Sequence, residues 1–181
     1  MEQTHNWGTG VKQDTGDVAM SAAAQSLAHV LLASSARVAT AESCTGGWVA
    51  KCLTDLPGSS QWFECGWVTY SNAAKQGQLG VPGSLIEQNG AVSQPVVMAM
   101  AQGALERSGA DYALAVTGIA GPGGGSAQKP VGTVWLGWAV RQGEVLTHCA
   151  TMTGHREAIR RAAVLQAVKG MTKMVAGRAA G

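Results

Sequence analysis

A hydroxyl, a thiol and two glycines stand together in the stretch Glu42-Ser43-Cys44-Thr45-Gly46-Gly47. The apolar segment before this stretch is typical of a strand and the segment after it of a helix, which predicts a tight turn between them. Free N–H groups at the start of a helix attract anions and can stabilise an oxyanion, and glycines let a ligand approach the backbone. Ser43 is therefore a candidate nucleophile, unless Ser43 or Thr45 only caps the helix.

Cys44 is the rival nucleophile, because a helix N-terminus lowers the pKa of a thiol. Neighbouring residues of a strand point in alternate directions, however, so Ser43 and Cys44 should not face the same way. We interpret Cys44 as part of the core or of a pocket wall.

Either nucleophile also needs an activating base. The histidines lie in the N-terminal segment, the first helix, the last hairpin and the start of the last helix, and they do not support a Ser-His-Asp triad: His5, His29, His148, His155.

Lys75 is the candidate base for Ser43. It lies in the first turn of the helix that follows Ser71 and Asn72. Burial and the positive end of a helix both lower the pKa of an amine, so a neutral lysine there could accept a proton. Tyr70 ends the preceding strand and could relay that proton. The alternative is an exposed lysine beside a half-buried strand tyrosine, with no role in chemistry.

Residues 118–126, which follow Thr117, are too rich in glycine for regular structure. Their backbone could form a cradle for a phosphate or a ribose. The alternative is a flexible surface connection. The G-K-[ST] ending of a Walker A loop is missing, so an ATP-type phosphate loop is excluded.

Arg156 and Arg160 lie four residues apart at the start of the last helix and share one face. Cations are unfavourable at this end of a helix, because the helix dipole is already positive there. A bound phosphate would relieve the repulsion, which makes both arginines candidates for anion binding. The alternative is that both are simply solvated.

The elements that must position these residues alternate in the order α-β-α-β-α-α-β-β-β-α. We predict strands at 37–41, 65–70, 111–117, 131–140 and 145–150, and helices that begin near residues 17, 45, 71, 93 and 155. Helical crossovers favour parallel strands, and the last two strands form an antiparallel hairpin. This order predicts a three-layer α/β/α sandwich with a mixed, mostly parallel sheet of about five strands. In such sheets, ligands bind where the strands end and the following loops begin.

Length and composition narrow the possibilities further. We expect a disordered extension at residues 1–16 and one domain at residues 17–181. The net charge of +2 is too small to indicate a nucleic-acid or membrane partner. The four cysteines form no C-x-x-C pair, so no metal site is expected, and the absence of a signal-peptide pattern predicts the cytoplasm. Some of the tryptophans at positions 48, 62, 67, 135 and 138 could lie at a homo-oligomer interface, and the alternative is that they are core residues.

Four segments together resemble the CinA C-terminal domain family, which includes nicotinamide-nucleotide amidohydrolases and competence/damage-inducible proteins. They are S-C-T-G-G from Ser43, T-Y-S-N-A-A-K from Thr69, V-T-G-I-A-G-P-G-G from Val116 and K-P-V-G-T-V from Lys129. The resemblance extends from about Ala19 to Met174. It implies hydrolysis of nicotinamide mononucleotide to nicotinate mononucleotide and ammonia, in pyridine nucleotide salvage.

The resemblance also implies roles for single residues. Ser43 would be the nucleophile and Tyr70 and Lys75 its activating partners, with no metal and no cofactor. The substrate would contact residues of the loops that follow the first three strands and of the last helix: Cys44, Thr45, Gly46, Gly47, Asn72, Thr117, Gly118, Gly121, Arg156, Arg160. The family pattern G-D-R is replaced here by G-H-R at Arg156, which removes an expected helix cap. Two alternatives stay open: a nucleotide-binding or regulatory domain without turnover, and an amidase for another small carboxamide.

Overall fold

A five-stranded sheet forms the middle layer of the structure, a computed structural model that describes residues 16–179. In chain order the strands are β1 (Val38–Glu42), β2 (Phe63–Val68), β3 (Tyr112–Gly118), β4 (Thr133–Val140) and β5 (Val145–Thr151). They lie side by side in the order β2-β1-β3-β4-β5. β1 is parallel to both β2 and β3, whereas β4 is antiparallel to both β3 and β5.

Six α-helices cover the two faces of this sheet. They are α1 (Asp17–Ala33), α2 (Trp48–Thr54), α3 (Asn72–Leu79), α4 (Gly83–Asn89), α5 (Gln94–Ser108) and α6 (Arg156–Ala179), with a 3-10 turn at Ser59–Gln61. The three-layer α/β/α fold with a mixed five-stranded sheet is thus confirmed. The antiparallel part begins one strand earlier than predicted, at the pair β3–β4. Of the expected extension at residues 1–16, all but Gly16 lies outside the described residues.

Alternating side chains of the strands pack into two separate cores. Val38 of β1 contributes to the core beneath α1, α2 and α6, whereas Ala39 and Ala41 contribute to the core beneath α5. All five residues of β1 are buried, as expected for a central strand covered on both faces. The apolar stripe predicted along the last helix is confirmed, since its four members are fully buried: Val164, Val168, Met171, Val175.

Two local features differ from the sequence prediction. α2 begins at Trp48, three residues later than expected, because Gly46 and Gly47 have φ angles of 62° and 91°, which belong to left-handed backbone. The turn-rich connection after Leu79 contains an additional short helix, α4. Only Ile86 of α4 is buried, so its sequence lacks the apolar periodicity that would have predicted it.

The helix α3 is held in place at both ends, which matters because it carries Lys75. Ser71 caps it as predicted, its side chain accepting a hydrogen bond from the N–H of Ala74 at 3.1 Å. At the other end, Leu79 packs against α5 where Gly103 leaves room for its carbonyl. No helix within residues 16–179 is both long enough and apolar enough to cross a bilayer.

Candidate active site

The loops that follow β1, β2 and β3 meet at one edge of the sheet and enclose a pocket of about 280 Å³. This is the edge at which the parallel strands end, as predicted. Nine of the residues singled out from the sequence line the pocket: Ser43, Cys44, Tyr70, Asn72, Lys75, Thr117, Gly118, Gly121 and Arg156. The side chains of the proposed nucleophile and base are thus brought into one cavity.

Ser43 and Lys75 are neighbours in this pocket although 32 residues separate them in the chain. The Ser43 Oγ and the Lys75 Nζ are 3.1 Å apart, within hydrogen-bond distance. The Ser43 N–H donates to the carbonyl of Val116 at 2.9 Å, which ties the turn after β1 to β3. Only 8% of Ser43 and 1% of Lys75 is exposed. The arrangement can pass a proton directly from the hydroxyl to the amine.

The surroundings of Lys75 favour a neutral amine. Its Nζ lies 2.9 Å from the carbonyl of Thr69 and 3.4 Å from that of Tyr70. Its side chain forms no ion pair with the described carboxylates. Burial lowers the pKa of Lys75, because the charged form loses its hydration and gains no carboxylate partner.

Tyr70 and Arg156 form the mouth of the pocket. The Arg156 guanidinium donates to the Tyr70 hydroxyl at 3.1 Å and to the carbonyl of Gly121 at 2.7 Å. Tyr70 is 60% exposed, and within the described residues its hydroxyl makes no hydrogen bond to Ser43 or Lys75. The structure therefore brings the backbone carbonyl of Tyr70, rather than its phenol, to the amine of Lys75.

Glu42 organises the turn after Ser43, a role that the sequence reasoning missed. Its buried carboxylate accepts hydrogen bonds from the N–H groups of Gly47, Val49 and Ala50, at 2.8–3.1 Å. A carboxylate at a helix start is favourable, and an acidic residue shortly before the apolar helix was the available signal. The first amides of α2 are therefore already occupied and are not free to bind a substrate anion.

Arg160 does not enter the pocket of Ser43. Its Nε donates to the carbonyl of Cys44 at 3.0 Å and its Nη2 to that of Thr45 at 2.7 Å. It lines a larger cavity of about 760 Å³ between α1, α2 and α6, together with Gly46 and Gly47. We do not assign that cavity to the chemistry, because neither the Ser43 hydroxyl nor the Lys75 amine reaches it.

Cys44 and Thr45 are both buried, and their side chains differ in surroundings. Cys44 lines the pocket and belongs to the core beneath α1, α2 and α6, and burial raises the pKa of its thiol to about 12, so the thiol stays protonated at neutral pH. This favours the interpretation of Cys44 as part of the core or of a pocket wall. Thr45 is outside the pocket, and its Oγ1 has no hydrogen-bond partner among the described residues. Thr117 donates its hydroxyl to the carbonyl of Ala91 and so fixes the segment before α5 against β3.

His155 replaces the missing carboxylate at the start of α6. Its Nδ1 accepts a hydrogen bond from the N–H of Ala158 at 3.4 Å, which is the contact of a helix cap. The departure from G-D-R therefore keeps the helix start capped and leaves Arg156 at the pocket mouth.

No cluster of three or more His, Cys, Asp or Glu side chains suited to a metal occurs within residues 16–179.

Comparison with known proteins gives a consistent set of relatives. The profile of the CinA C-terminal domain matches residues 20–175. Nicotinamide-nucleotide amidohydrolase PncC of Escherichia coli (strain K12) is 53% identical over 145 residues, which are 80% of this chain and 88% of that protein. A CinA-like protein of Akkermansia muciniphila is 57% identical over 135 residues, but this chain spans only 33% of its length.

Solved structures agree with these relatives. The competence-damaged protein (CinA) superfamily protein of Escherichia coli superposes with a TM-score of 0.87 at 32% identity, covering 96% of this chain and 99% of that one. The competence/damage inducible protein CihA of Agrobacterium tumefaciens superposes with a TM-score of 0.83 at 44% identity, covering 89% of this chain and 96% of that one.

Proposed function

Because this chain belongs to the CinA C-terminal domain family, we propose that it hydrolyses nicotinamide mononucleotide to nicotinate mononucleotide and ammonia, with Ser43 as nucleophile and Lys75 as its base. Relatives that carry the name nicotinamide-nucleotide amidohydrolase are 53–60% identical over most of the chain. The chain is an enzyme of this type, acting in pyridine nucleotide salvage. Its four cysteines are unpaired thiols, in keeping with the cytoplasmic location that we propose.

The observation that carries the mechanism is the 3.1 Å contact between the Ser43 Oγ and the Lys75 Nζ. A neutral amine has two N–H groups and one lone pair. The carbonyls of Thr69 and Tyr70 accept the two N–H groups, which directs the lone pair to the Ser43 hydroxyl. Lys75 then takes the Ser43 proton as the Oγ attacks the carboxamide carbon.

The same amine completes the reaction. The tetrahedral intermediate collapses when the Lys75 ammonium returns its proton to the departing nitrogen, and ammonia leaves. A nicotinoyl ester on Ser43 remains. Water then attacks this ester with Lys75 again as base, which releases nicotinate mononucleotide and regenerates the hydroxyl. Lys75 serves as base and as acid in both steps without changing its position, so the cycle needs no second proton-transfer residue.

The pocket and its mouth suit a mononucleotide. A cavity of about 280 Å³ is close to the lower limit of small-molecule pockets, about 300 Å³, and favours one ring with its carboxamide over a dinucleotide. Arg156 stands at the mouth with a guanidinium that can bind a phosphate through two parallel hydrogen bonds. In this proposal Tyr70 orients Arg156 and supplies a carbonyl to Lys75, and Asn72, Thr117, Gly118 and Gly121 form the walls.

The direct test is to incubate the pure protein with nicotinamide mononucleotide and to measure ammonia and nicotinate mononucleotide. Wild-type protein should release both in equal amounts. Ser43→Ala should lower the rate by about 10³-fold or more while leaving substrate binding in place. Ser60→Ala, an exposed serine distant from the pocket, is the matched control and should keep the wild-type rate.

Two outcomes would contradict the proposal. Near-normal turnover by Ser43→Ala would exclude this nucleophile. Tight binding of the mononucleotide without ammonia would instead indicate a nucleotide-binding or regulatory domain. A panel of other small carboxamides tests the remaining alternative, because a faster reaction with one of them would reassign the substrate.

A further inference from the structure

The turn between β1 and α2 leaves two backbone donors unused. The Ser43 N–H is bound to Val116, the Gly46 N–H to the carbonyl of Ser43 at 3.0 Å, and the Gly47 N–H to Glu42. The N–H groups of Val49 and Ala50 are also bound to Glu42. Among residues 43–50, only the N–H groups of Cys44 and Thr45 have no acceptor beyond their own residue in the described part of the chain.

Unused amides next to a nucleophile are notable because buried backbone donors are almost always satisfied. Those of Cys44 and Thr45 directly follow Ser43, whose Oγ lies in the pocket. When this Oγ attacks the carboxamide carbon, the Oγ and the oxyanion are bonded to that one carbon. The negative charge of the oxyanion therefore develops within reach of the next amides along the chain. The sequence suggested the amides near Thr45–Gly47 for this role, but those of Gly46 and Gly47 are already bonded inside the turn, which leaves the amide of Thr45.

The orientation of the Thr45 amide depends on Arg160, whereas the Cys44 amide belongs to the peptide whose carbonyl, that of Ser43, accepts the Gly46 N–H. Its guanidinium binds the carbonyls of Cys44 and Thr45 from the side of α6. In a planar trans peptide the N–H points opposite to the carbonyl. Holding the Cys44 carbonyl toward Arg160 therefore turns the Thr45 N–H away from α6 and from the 760 Å³ cavity that Arg160 lines.

We propose that Arg160 is a positioning residue that fixes the Cys44–Thr45 peptide group, so that the Thr45 N–H, next to the Cys44 N–H, completes the oxyanion hole for Ser43. This inference rests on the proposed function and adds to it the source of transition-state stabilisation. Arg160 touches neither the substrate nor the reacting atoms. It acts by preventing rotation of the Cys44–Thr45 peptide group, which would otherwise present a carbonyl oxygen to the developing negative charge.

The planar fork of an arginine is needed for this role. Nε and Nη2 reach two successive carbonyls at once, and the guanidinium also stacks on Trp48, with 5.1 Å to the ring centroid. A lysine carries its three donors on a single nitrogen and cannot reproduce the spacing of the rigid fork. Lysine at this position keeps the charge but should hold the two carbonyls less rigidly.

Arg161 provides a matched control for this substitution. It stacks on the same Trp48 ring, with 4.9 Å to the centroid, and follows Arg160 on the same helix. Its hydrogen bonds go to Asp17 and Glu157 and not to the turn after Ser43. A loss caused by disturbed packing around Trp48 would therefore affect both positions, whereas a loss of peptide positioning would affect Arg160 alone.

The experiment compares Arg160→Lys with Arg161→Lys in the full chain. For nicotinamide mononucleotide, Arg160→Lys should lower kcat by roughly 10- to 100-fold with KM within about threefold, because the lost interaction acts in the transition state. Arg161→Lys should stay within about twofold of wild type in both constants. Thermal unfolding should show both variants folded. Arg160→Gln, with a single donor nitrogen and no charge, is the second variant and should behave as Arg160→Lys does.

A second readout does not depend on turnover. Pyridine-3-boronic acid can bond to the Ser43 Oγ and place a negatively charged tetrahedral centre where the intermediate would form. Its affinity, measured by calorimetry, should fall about tenfold or more in Arg160→Lys and stay unchanged in Arg161→Lys. Wild-type protein that binds the boronate but releases no ammonia would contradict the proposed function, whereas a loss of boronate affinity in Arg160→Lys and not in Arg161→Lys would still support the role of Arg160.

Three results would overturn the inference. Arg160→Lys and Arg160→Gln with wild-type kcat and boronate affinity would show that the peptide groups need no such support. Equal losses in Arg160→Lys and Arg161→Lys would assign the effect to packing around Trp48. Wild-type protein that does not bind the boronate would remove the evidence for donors beside Ser43.

Discussion

At the scale of single residues, the site depends on a lysine that is almost fully buried without a carboxylate partner. Lysine is rarely buried in this way, because removing an ammonium from water is costly. Here two backbone carbonyls and the Ser43 hydroxyl surround the Lys75 Nζ. These groups satisfy a neutral amine, so the environment that is unfavourable for the charge is the one that general-base catalysis requires.

The pH dependence of the reaction follows from this environment. Burial lowers the pKa of Lys75, and only the neutral amine can accept the Ser43 proton. We expect kcat/KM to rise with pH through this lowered pKa and to level off above it. Lys75→Arg, which stays charged, should be inactive at every pH. A pH–rate profile without an ascending limb, or an active Lys75→Arg variant, would exclude Lys75 as the base.

Arg156 should determine affinity for the phosphate rather than the rate of the chemical step. We expect Arg156→Gln to raise KM for nicotinamide mononucleotide by roughly 10- to 100-fold, the effect of losing one charge-assisted contact. Nicotinamide riboside has no phosphate and serves as the control substrate, with little change in KM. Equal losses with both substrates would mean that Arg156 only holds the Tyr70 hydroxyl and the Gly121 carbonyl in place.

At the scale of elements, the position of Lys75 is set by the packing of α3 on α5. A Cβ atom added to Gly103 of α5 would lie 2.0 Å from the carbonyl oxygen of Leu79, the last residue of α3. The glycine therefore permits a backbone-to-backbone approach that no other residue allows. Because Lys75 is one helical turn before Leu79, a displacement of α3 is also a displacement of the base.

Gly103→Ala should consequently affect both stability and catalysis. We expect it to lower the free energy of unfolding by about 1–3 kcal/mol, the usual cost of overpacking, and to lower kcat as the Ser43–Lys75 distance increases. Gly77→Ala in α3 is the control, since a Cβ at Gly77 meets nothing within 4 Å. It should raise the free energy of unfolding by about 0.5–1 kcal/mol. Urea denaturation and ammonia release measure the two effects, and a stable, fully active Gly103→Ala would contradict this account.

At the scale of the whole molecule, the site joins loops from distant parts of the chain. The burial of Lys75 in this site lowers the free energy of unfolding. Tyr70 and Arg156 meet across 86 residues of sequence, and both lie on connections supported by the sheet. Lys75 binds fewer protons in the folded chain than in the unfolded chain at any pH between its lowered pKa and its ordinary value of 10.5. Folding therefore becomes more favourable as pH rises through this interval.

Lys75→Met should reveal this cost. The variant removes the charge that folding must neutralise, so its stability relative to wild type should be greatest below the folded pKa of Lys75. The advantage should shrink as pH rises toward 10.5, because the wild-type penalty then disappears. Urea denaturation of both proteins at a series of pH values measures the difference, and a difference that does not change with pH would contradict the expectation. The variant should release no ammonia at any pH.

The sequence by itself determined the order along the chain of the strands and of the helices other than α4, the cap at Ser71 and the three loops that carry polar residues. These features depend on local periodicity, on capping residues and on glycine, which short segments contain in full. Residue types suggested Lys75 as the base for Ser43, and the resemblance to a known family favoured this pairing over an exposed lysine with no role in chemistry. The short helix α4 escaped prediction, because it has a single buried residue and no apolar pattern.

Only the tertiary structure decided which candidate residues line the pocket and which lie outside it. It brings Arg156 to the pocket mouth and Arg160 to the back of the turn, although both occupy the same face of one helix by their spacing. It also reveals Glu42 as the acceptor for the first amides of α2, and it buries Lys75. The reason is that burial and hydrogen-bond partners depend on which distant segments the sheet brings together, and local sequence does not encode those distances.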